Sequence, residues 1–202
     1  MSILILSSCS ENVSKKSNNV SDATNEVVSN EKSDVAILSE AILSDSLNAD
    51  LYVQRARVNL ANEKISNAIR DINSALSIDK KNIEALLVLA DIYYALGDED
   101  NILLTLNKAN EYAPLDTRPI IKLSELSFLQ GNFRMAGAYV DKALEMDKYN
   151  PKAYYMRGML AMTENDTVSA LKNFMTSRMQ QSDFVDPLIQ IAHIYVAQND
   201  TL

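Results

Sequence analysis

A repeat of 34 residues constrains the fold of this chain more than any other feature. One series of helix-capping residues recurs at this interval and consists of Asn48, Asn82, Asp116 and Asn150. A second series, with the same interval, consists of Asp98, Asn132, Asp166 and Asp200. Asn and Asp favour helix N-caps because a side-chain oxygen accepts a hydrogen bond from an amide of the first turn. Two caps per interval therefore predict two antiparallel helices in each unit.

The size of the side chains follows the same interval. Counted from the residue after each first cap, the units begin at 49, 83, 117, 151 and 185. Position 8 is always small and is occupied by Ala56, Ala90, Ser124, Gly158 and Ala192. Position 24 is always large and apolar, and is occupied by Ile72, Leu106, Val140 and Phe174. Small residues let neighbouring helices approach closely and large ones fill the remaining space, so the pattern predicts stacked helix pairs.

Taken together, the caps and packing positions resemble the tetratricopeptide repeat, or TPR. The resemblance covers residues 34–202. It implies an all-α helix-turn-helix solenoid, a right-handed superhelix with about four complete repeats and a partial repeat at each end. Arg55, Asn59 and Ile102 depart from the family's small or apolar pattern, and we expect such departures to loosen single units. The helix predicted at 185–198 is apolar on nearly every side, so we expect the natural chain to continue beyond Leu202.

The N-terminal residues contain a candidate targeting signal. Residues 1–9 are mostly apolar, and Leu6 to Cys9 resemble the end of a bacterial lipoprotein signal. The resemblance implies that Cys9 is lipidated, and that the protein is an outer-membrane lipoprotein of the bacterial cell envelope, because Ser10 rather than Asp follows. The alternative is a short tail with a chance cysteine. A complete signal has a basic start and a longer apolar run, so we expect the natural chain to begin upstream.

Residues 10–33 are predicted to be a flexible tether between Cys9 and the helical repeats. This segment holds six Ser and five Asn without apolar periodicity, which is typical of disordered chain. The composition of the chain also excludes several classes of function. The net charge of −8 argues against a nucleic-acid surface. With one Cys, one His and four Gly, the sequence offers no His/Cys zinc site and no Gly-rich phosphate loop. We therefore expect no catalytic site, no metal and no cofactor.

The resemblance also predicts where a partner binds. In TPR proteins, positions 2, 5, 9 and 12 of each first helix, with 6 and 13, line a concave groove. Here the predicted groove consists of Val53, Arg57, Leu87, Asp91, Tyr94, Arg118, Ile121, Lys122, Glu125, Phe128, Lys152, Tyr155, Met159 and Met162. The alternative is that positions 5 and 12, and the methionines, fill the core between units. Arg118 and Lys122 form a basic cluster suited to a partner carboxylate, or else a solvated surface.

These features predict a non-enzymatic, lipid-anchored scaffold or adaptor that holds a peptide or helix of another protein in its groove. Its partners are then a protein and, through Cys9, a membrane. Two alternatives stay open, namely a glycan-binding outer-membrane lipoprotein that takes up nutrients, and an interaction module of a longer enzyme. The sequence predicts neither the identity of the partner nor the oligomeric state.

Overall fold

The protein is an array of paired helices. The computed structural model describes residues 33–199, and this range contains ten α-helices and no strand. The helices are α1 (Asp34–Ser44), α2 (Ala49–Ala61), α3 (Ile65–Ile78), α4 (Ile83–Leu96), α5 (Glu99–Tyr112), α6 (Thr117–Leu129), α7 (Phe133–Met146), α8 (Pro151–Thr163), α9 (Thr167–Gln180) and α10 (Asp186–Asn199). The first and second helices of units one to four are therefore α2–α3, α4–α5, α6–α7 and α8–α9. The predicted all-α repeat fold is confirmed.

The predicted caps start the helices. Asn48, Asn82, Asp116 and Asn150 each accept a hydrogen bond from a backbone amide of the first turn of α2, α4, α6 and α8. Asp98, Asn132 and Asp166 do the same for α5, α7 and α9. The exception is α3, whose N-cap Lys64 makes no side-chain bond. Asp200 lies outside the described residues.

The turn within each unit has the same backbone at position 15. Gly97 and Gly131 lie there with φ of +71° and +73°. Units one and four reach the same left-handed region without glycine, at Glu63 (φ 58°) and Asn165 (φ 59°). Glycine adopts this conformation without steric cost, and asparagine tolerates it better than most residues. The shared conformation lets each second helix fold back against its first.

The core lies between successive helices. Each helix packs on the next one in the chain, and α2 also contacts α4 while α6 contacts α8. The small residues at position 8 of units one to four are buried, and so are the large ones at position 24. Phe174 is 0% exposed, and its ring lies where a side chain at Gly158 would stand. Positions 8 and 24 are therefore the contact points of each helix pair.

Two polar departures from the repeat pattern form one buried network, and the expectation that they loosen unit one stays a prediction. Asp71 on α3 accepts hydrogen bonds from Arg55 Nε at 3.0 Å and Nη2 at 2.6 Å, and from Asn59 Nδ2 at 3.0 Å. Arg55 Nη1 also donates to Ser39 Oγ of α1 at 3.0 Å. The Asp71 side chain is 5% exposed, so the pair is largely removed from water. These side chains join α1, α2 and α3 by hydrogen bonds.

The last described helix keeps part of its apolar surface exposed. α10 packs on α9 and buries Ile194, whereas Leu188, Ile189 and Val196 are 47%, 45% and 59% exposed. The predicted continuation beyond Leu202 concerns residues outside the described range and stays a prediction. None of the ten helices combines the length and the apolar character needed to cross a membrane.

The predicted N-terminal features fall mostly outside the structure. Cys9 and residues 10–32 lie outside the described residues. Ser33, the last residue assigned to the tether, is the N-cap of α1, and its hydroxyl accepts a hydrogen bond from the amide of Ala36.

Candidate partner-binding face

Two adjoining cavities lie along the first helices of units two to four. The apolar cavity has a volume of about 370 Å³ and is lined by Ala90, Asp91, Tyr94, Ile102, Leu106, Lys122, Glu125, Leu126, Phe128, Leu129, Tyr155, Met156 and Met159. The polar cavity has a volume of about 400 Å³ and is lined by Arg57, Glu84, Leu87, Asp91, Thr117, Arg118, Ile121, Lys122, Glu125, Asn150, Pro151, Lys152 and Gln181. We call the surface that contains both cavities the first-helix face.

Helical spacing explains why these residues meet. Side chains three or four residues apart share one side of a helix, as Asp91 and Tyr94 do on α4 and Lys122 and Glu125 on α6. The interval of 34 residues then places α4, α6 and α8 in succession with the same side presented. Of the fourteen predicted groove residues, all but Val53 and Met162 line one or both cavities.

Aromatic and methionine side chains form the walls of the apolar cavity. Tyr94 is 59% exposed at its edge. The ring of Tyr155 packs 5.7 Å from Phe174 and 5.4 Å from Phe184, and its hydroxyl hydrogen-bonds Gln190. Burial of that hydroxyl raises the pKa of Tyr155. The wall is therefore held in place by neighbours in α9 and α10 before any partner arrives.

A departure from the repeat pattern also contributes to the lining of the apolar cavity. Position 20 is Ala in the other three complete units but Ile102 here, and this side chain lines the apolar cavity. In the same region α4 and α6 approach each other less closely than α2 and α4, or α6 and α8. Gln181, on the loop after α9, has no signal in the repeat pattern, whereas Leu129 occupies position 13, which the pattern included.

The position-5 residues of units one to three are core residues. Val53, Leu87 and Ile121 are 3%, 4% and 2% exposed. At these positions the alternative interpretation, that position 5 fills the core between units, is therefore the correct one. Val53 packs in the core of unit one and lines neither cavity. Leu87 and Ile121 reach the floor of the polar cavity. Met162 is 38% exposed but lies away from both cavities, so the expected apolar strip is interrupted.

The predicted basic cluster forms ion pairs within the protein, and its role as a site for a partner carboxylate stays a prediction. Arg118 forms ion pairs with Asp116 and Glu84, and Glu84 also pairs with Arg57. These hydrogen bonds raise the pKa of Arg118, and the bond from Arg118 lowers the pKa of Asp116. Lys122 pairs with Asp91 on α4. Charge reversal at Arg118 and Lys122 would therefore break contacts between units.

Two charged groups of the face remain outside these pairs. Lys152 lines the polar cavity and forms no ion pair with any residue between 33 and 199. Glu125 lines both cavities, and its side chain has no hydrogen bond within the same range. Desolvation raises the pKa of Glu125, although Lys122 and Lys152 oppose the shift. In the described part of the chain, no three His, Cys, Asp or Glu side chains are placed to share a metal ion.

Comparisons with known proteins identify structures that share this architecture. No known family profile and no curated protein matches the sequence. A thermophilic TPR protein of Thermus thermophilus superposes with a TM-score of 0.71 at 16% identity, over 80% of this chain and 89% of its own. A TPR protein of Parabacteroides merdae gives 0.61 at 21%, over 80% and 64%. YrrB, described as a TPR protein with an unusual peptide-binding site, gives 0.54 at 17%, over 82% and 85%. The chain therefore has the TPR fold.

Proposed function

We propose that this chain is a non-catalytic scaffold or adaptor that holds a segment of a partner protein on its first-helix face. The proposal depends on one observation above all, namely that side chains from three successive units meet around two adjoining cavities. An opening of this size that combines apolar walls with a few polar groups is typical of a binding site. The peptide-binding site named for YrrB supports the same use of the fold.

Site-specific crosslinking in the cells that make the protein tests this proposal. A photoreactive amino acid replaces Tyr94, at the edge of the apolar cavity, or Met179, which is 83% exposed on α9 and lines neither cavity. We expect a protein adduct from the first position and none from the second. In a Met159→Trp background, where the larger side chain occupies the cavity, the adduct is lost, whereas Met179→Trp leaves it unchanged. Adducts from Met179 alone would contradict the proposal.

We also propose that the array is attached to a membrane of the bacterial cell envelope, the outer membrane, through a lipid on Cys9. The support is the sequence Leu6-Ser7-Ser8-Cys9, which resembles the end of a lipoprotein signal. A single acyl chain gives only marginal binding, so stable attachment requires the multiple acylation of a lipoprotein.

Metabolic labelling tests the attachment. We expect an alkyne-tagged palmitate to label the wild-type protein and a Ser10→Ala control, and Cys9→Ala to abolish both the label and sedimentation with washed membranes. Labelling that persists in Cys9→Ala would contradict the anchor and leave the binding face untouched.

A further inference from the structure

The residues shared by the two cavities include two acids and only one base. Asp91, Lys122 and Glu125 line both cavities, and Lys122 pairs with Asp91. Glu125 is left without a hydrogen bond among the described residues. Because a partly buried carboxylate without a hydrogen bond is costly, a ligand that donates one from a positive charge there gains free energy.

We propose that the partner segment places an apolar side chain in the apolar cavity and a lysine or arginine of the same segment against Glu125. This inference rests on the proposed protein-binding function and specifies the chemistry of the segment. It commits to a basic, apolar peptide, in contrast to the acidic partner that Arg118 and Lys122 suggested from sequence.

Charge complementarity favours this occupant. The ionisable side chains that line the apolar cavity and are charged at neutral pH are two acids, Asp91 and Glu125, and one base, Lys122, so the cavity has a net negative charge. The polar cavity is close to balance, because four cations meet three acids there and Asp116 pairs with Arg118. Lys152 acts on Glu125 through space but forms no ion pair with it and lines only the polar cavity.

The walls of the apolar cavity suit the same occupant. Tyr94, Phe128 and Tyr155 surround the space beside Glu125. Aromatic faces attract a lysine or arginine cation and also pack against apolar groups. A volume of about 370 Å³ lies within the usual range of ligand pockets, so the space can receive a large side chain.

Peptide selection on the purified full chain tests the inference. Short random peptides displayed on phage are selected on the wild-type protein, on Glu125→Gln, and on Glu145→Gln, a control that removes an exposed carboxylate of α7. We expect wild type and Glu145→Gln to enrich peptides that combine an aromatic or long aliphatic residue with Lys or Arg. We expect Glu125→Gln to retain the apolar preference and lose the basic one.

A mutant cycle with one enriched peptide makes the test quantitative. Replacing the basic residue of the peptide with glutamine should weaken binding to wild type by about tenfold, and binding to Glu125→Gln by less than about twofold, in fluorescence anisotropy. Enrichment without a basic preference, or an equal loss on both proteins, overturns the inference and leaves the proposed function standing. Failure to enrich any peptide that competes at the first-helix face counts against both.

Discussion

Gly158 lies against the ring of Phe174 and leaves no room for a side chain of its own. A Cβ at Gly158 would lie 2.5, 2.6 and 3.0 Å from three ring atoms of Phe174, which is 0% exposed. Units one to three place Ile72, Leu106 or Val140 at the position of Phe174 and accept alanine or serine at the position of Gly158. The two positions therefore adjust to each other, with the smallest residue opposite the largest.

We predict that Gly158→Ala destabilises the protein by up to about 2 kcal/mol. Overpacking costs about 1–3 kcal/mol, and the higher helix propensity of alanine offsets about 1 kcal/mol of that cost. In a Phe174→Leu background the clash disappears, and the same change should stabilise by up to about 1 kcal/mol. Urea unfolding of the four proteins measures this reversal of sign.

Gly137→Ala is the matched control. Gly137 lies in α7, and the nearest atom to an added Cβ is Leu160 Cδ1 at 3.8 Å, an ordinary contact distance. This change should stabilise by about 0.5–1 kcal/mol in either background. A loss of stability at Gly158 of the same size in both backgrounds would show that Phe174 is not the cause.

The Glu125 carboxylate should lower the stability of the unbound protein at neutral pH. Desolvation raises its pKa from the ordinary value of 4.5, so the folded state holds the proton more tightly than the unfolded state. The destabilisation by Glu125 is absent at low pH, below the ordinary value of 4.5, because the carboxyl group is then protonated in both the folded and the unfolded state. It appears as the pH rises and the carboxylate ionises, and it is complete above the pKa of the folded state.

We therefore predict that Glu125→Gln is more stable than wild type by on the order of 1 kcal/mol at pH 7, with no difference near pH 4. Thermal melts across this range measure the difference, and Glu145→Gln should change stability by less than about 0.5 kcal/mol throughout. A Glu125→Gln variant less stable than wild type at pH 7 would contradict the view that desolvation of this carboxylate destabilises the fold.

At the scale of elements, the Arg55–Asp71–Asn59 network replaces the apolar contact that the repeat pattern favours between α2 and α3. Breaking a buried ion pair costs about 3–5 kcal/mol, whereas replacing all its members by apolar residues is often neutral or stabilising. Asn59 Oδ1 is also buried without a hydrogen-bond partner in the described structure, which adds to the cost of the native network.

We predict that Asp71→Ala alone destabilises by about 2–3 kcal/mol, less than a fully buried pair, because the Arg55 side chain is 21% exposed. The triple variant Arg55→Leu, Asn59→Leu, Asp71→Ala should return to within about 1 kcal/mol of wild type or exceed it. Guanidinium unfolding provides the comparison. A triple variant that is less stable than Asp71→Ala would mean that the network contributes more than an apolar core does.

The helices were predictable from sequence because their signals are local. A cap such as Asn82 and a small residue such as Ala90 determine where a helix begins and how closely it packs, whatever the rest of the chain does. The Asp71 network was not predictable, because it depends on which side chains face each other across α2 and α3. The pair between Glu84 and Arg118 had a signal, since both occupy position 2 of adjacent units.

The sequence predicted which residues share the candidate site, but not which of them are buried or paired with another charge. Spacing identifies Tyr94, Glu125 and Met159 as residues of one face, and the structure brings them together around one cavity. Spacing does not distinguish a buried Leu87 from an exposed neighbour, nor a free Lys122 from one that pairs with Asp91. Both depend on how closely successive units approach, which the spacing of residues along the sequence does not determine.

Within residues 33–199 the array is held together by contacts between helices that are close in the chain, so its stability should vary along the chain. We predict the slowest amide exchange in α4 to α8, which have neighbours on both sides, and the fastest in α10 among the ten helices, because within residues 33–199 only the preceding helices α8 and α9 contact it. Hydrogen–deuterium exchange with mass spectrometry measures this gradient. Uniform protection that includes α10 would contradict this gradient.

Methionine-methyl NMR tests the binding face most directly, because the methionines lie on both sides of the array. Met156 and Met159 line the apolar cavity, whereas Met135 on α7 and Met179 on α9 are exposed away from it. On titration with the partner recovered by crosslinking, the account predicts that the resonances of Met156 and Met159 shift while those of Met135 and Met179 do not. Shifts at Met135 and Met179 with Met156 and Met159 unchanged would contradict it.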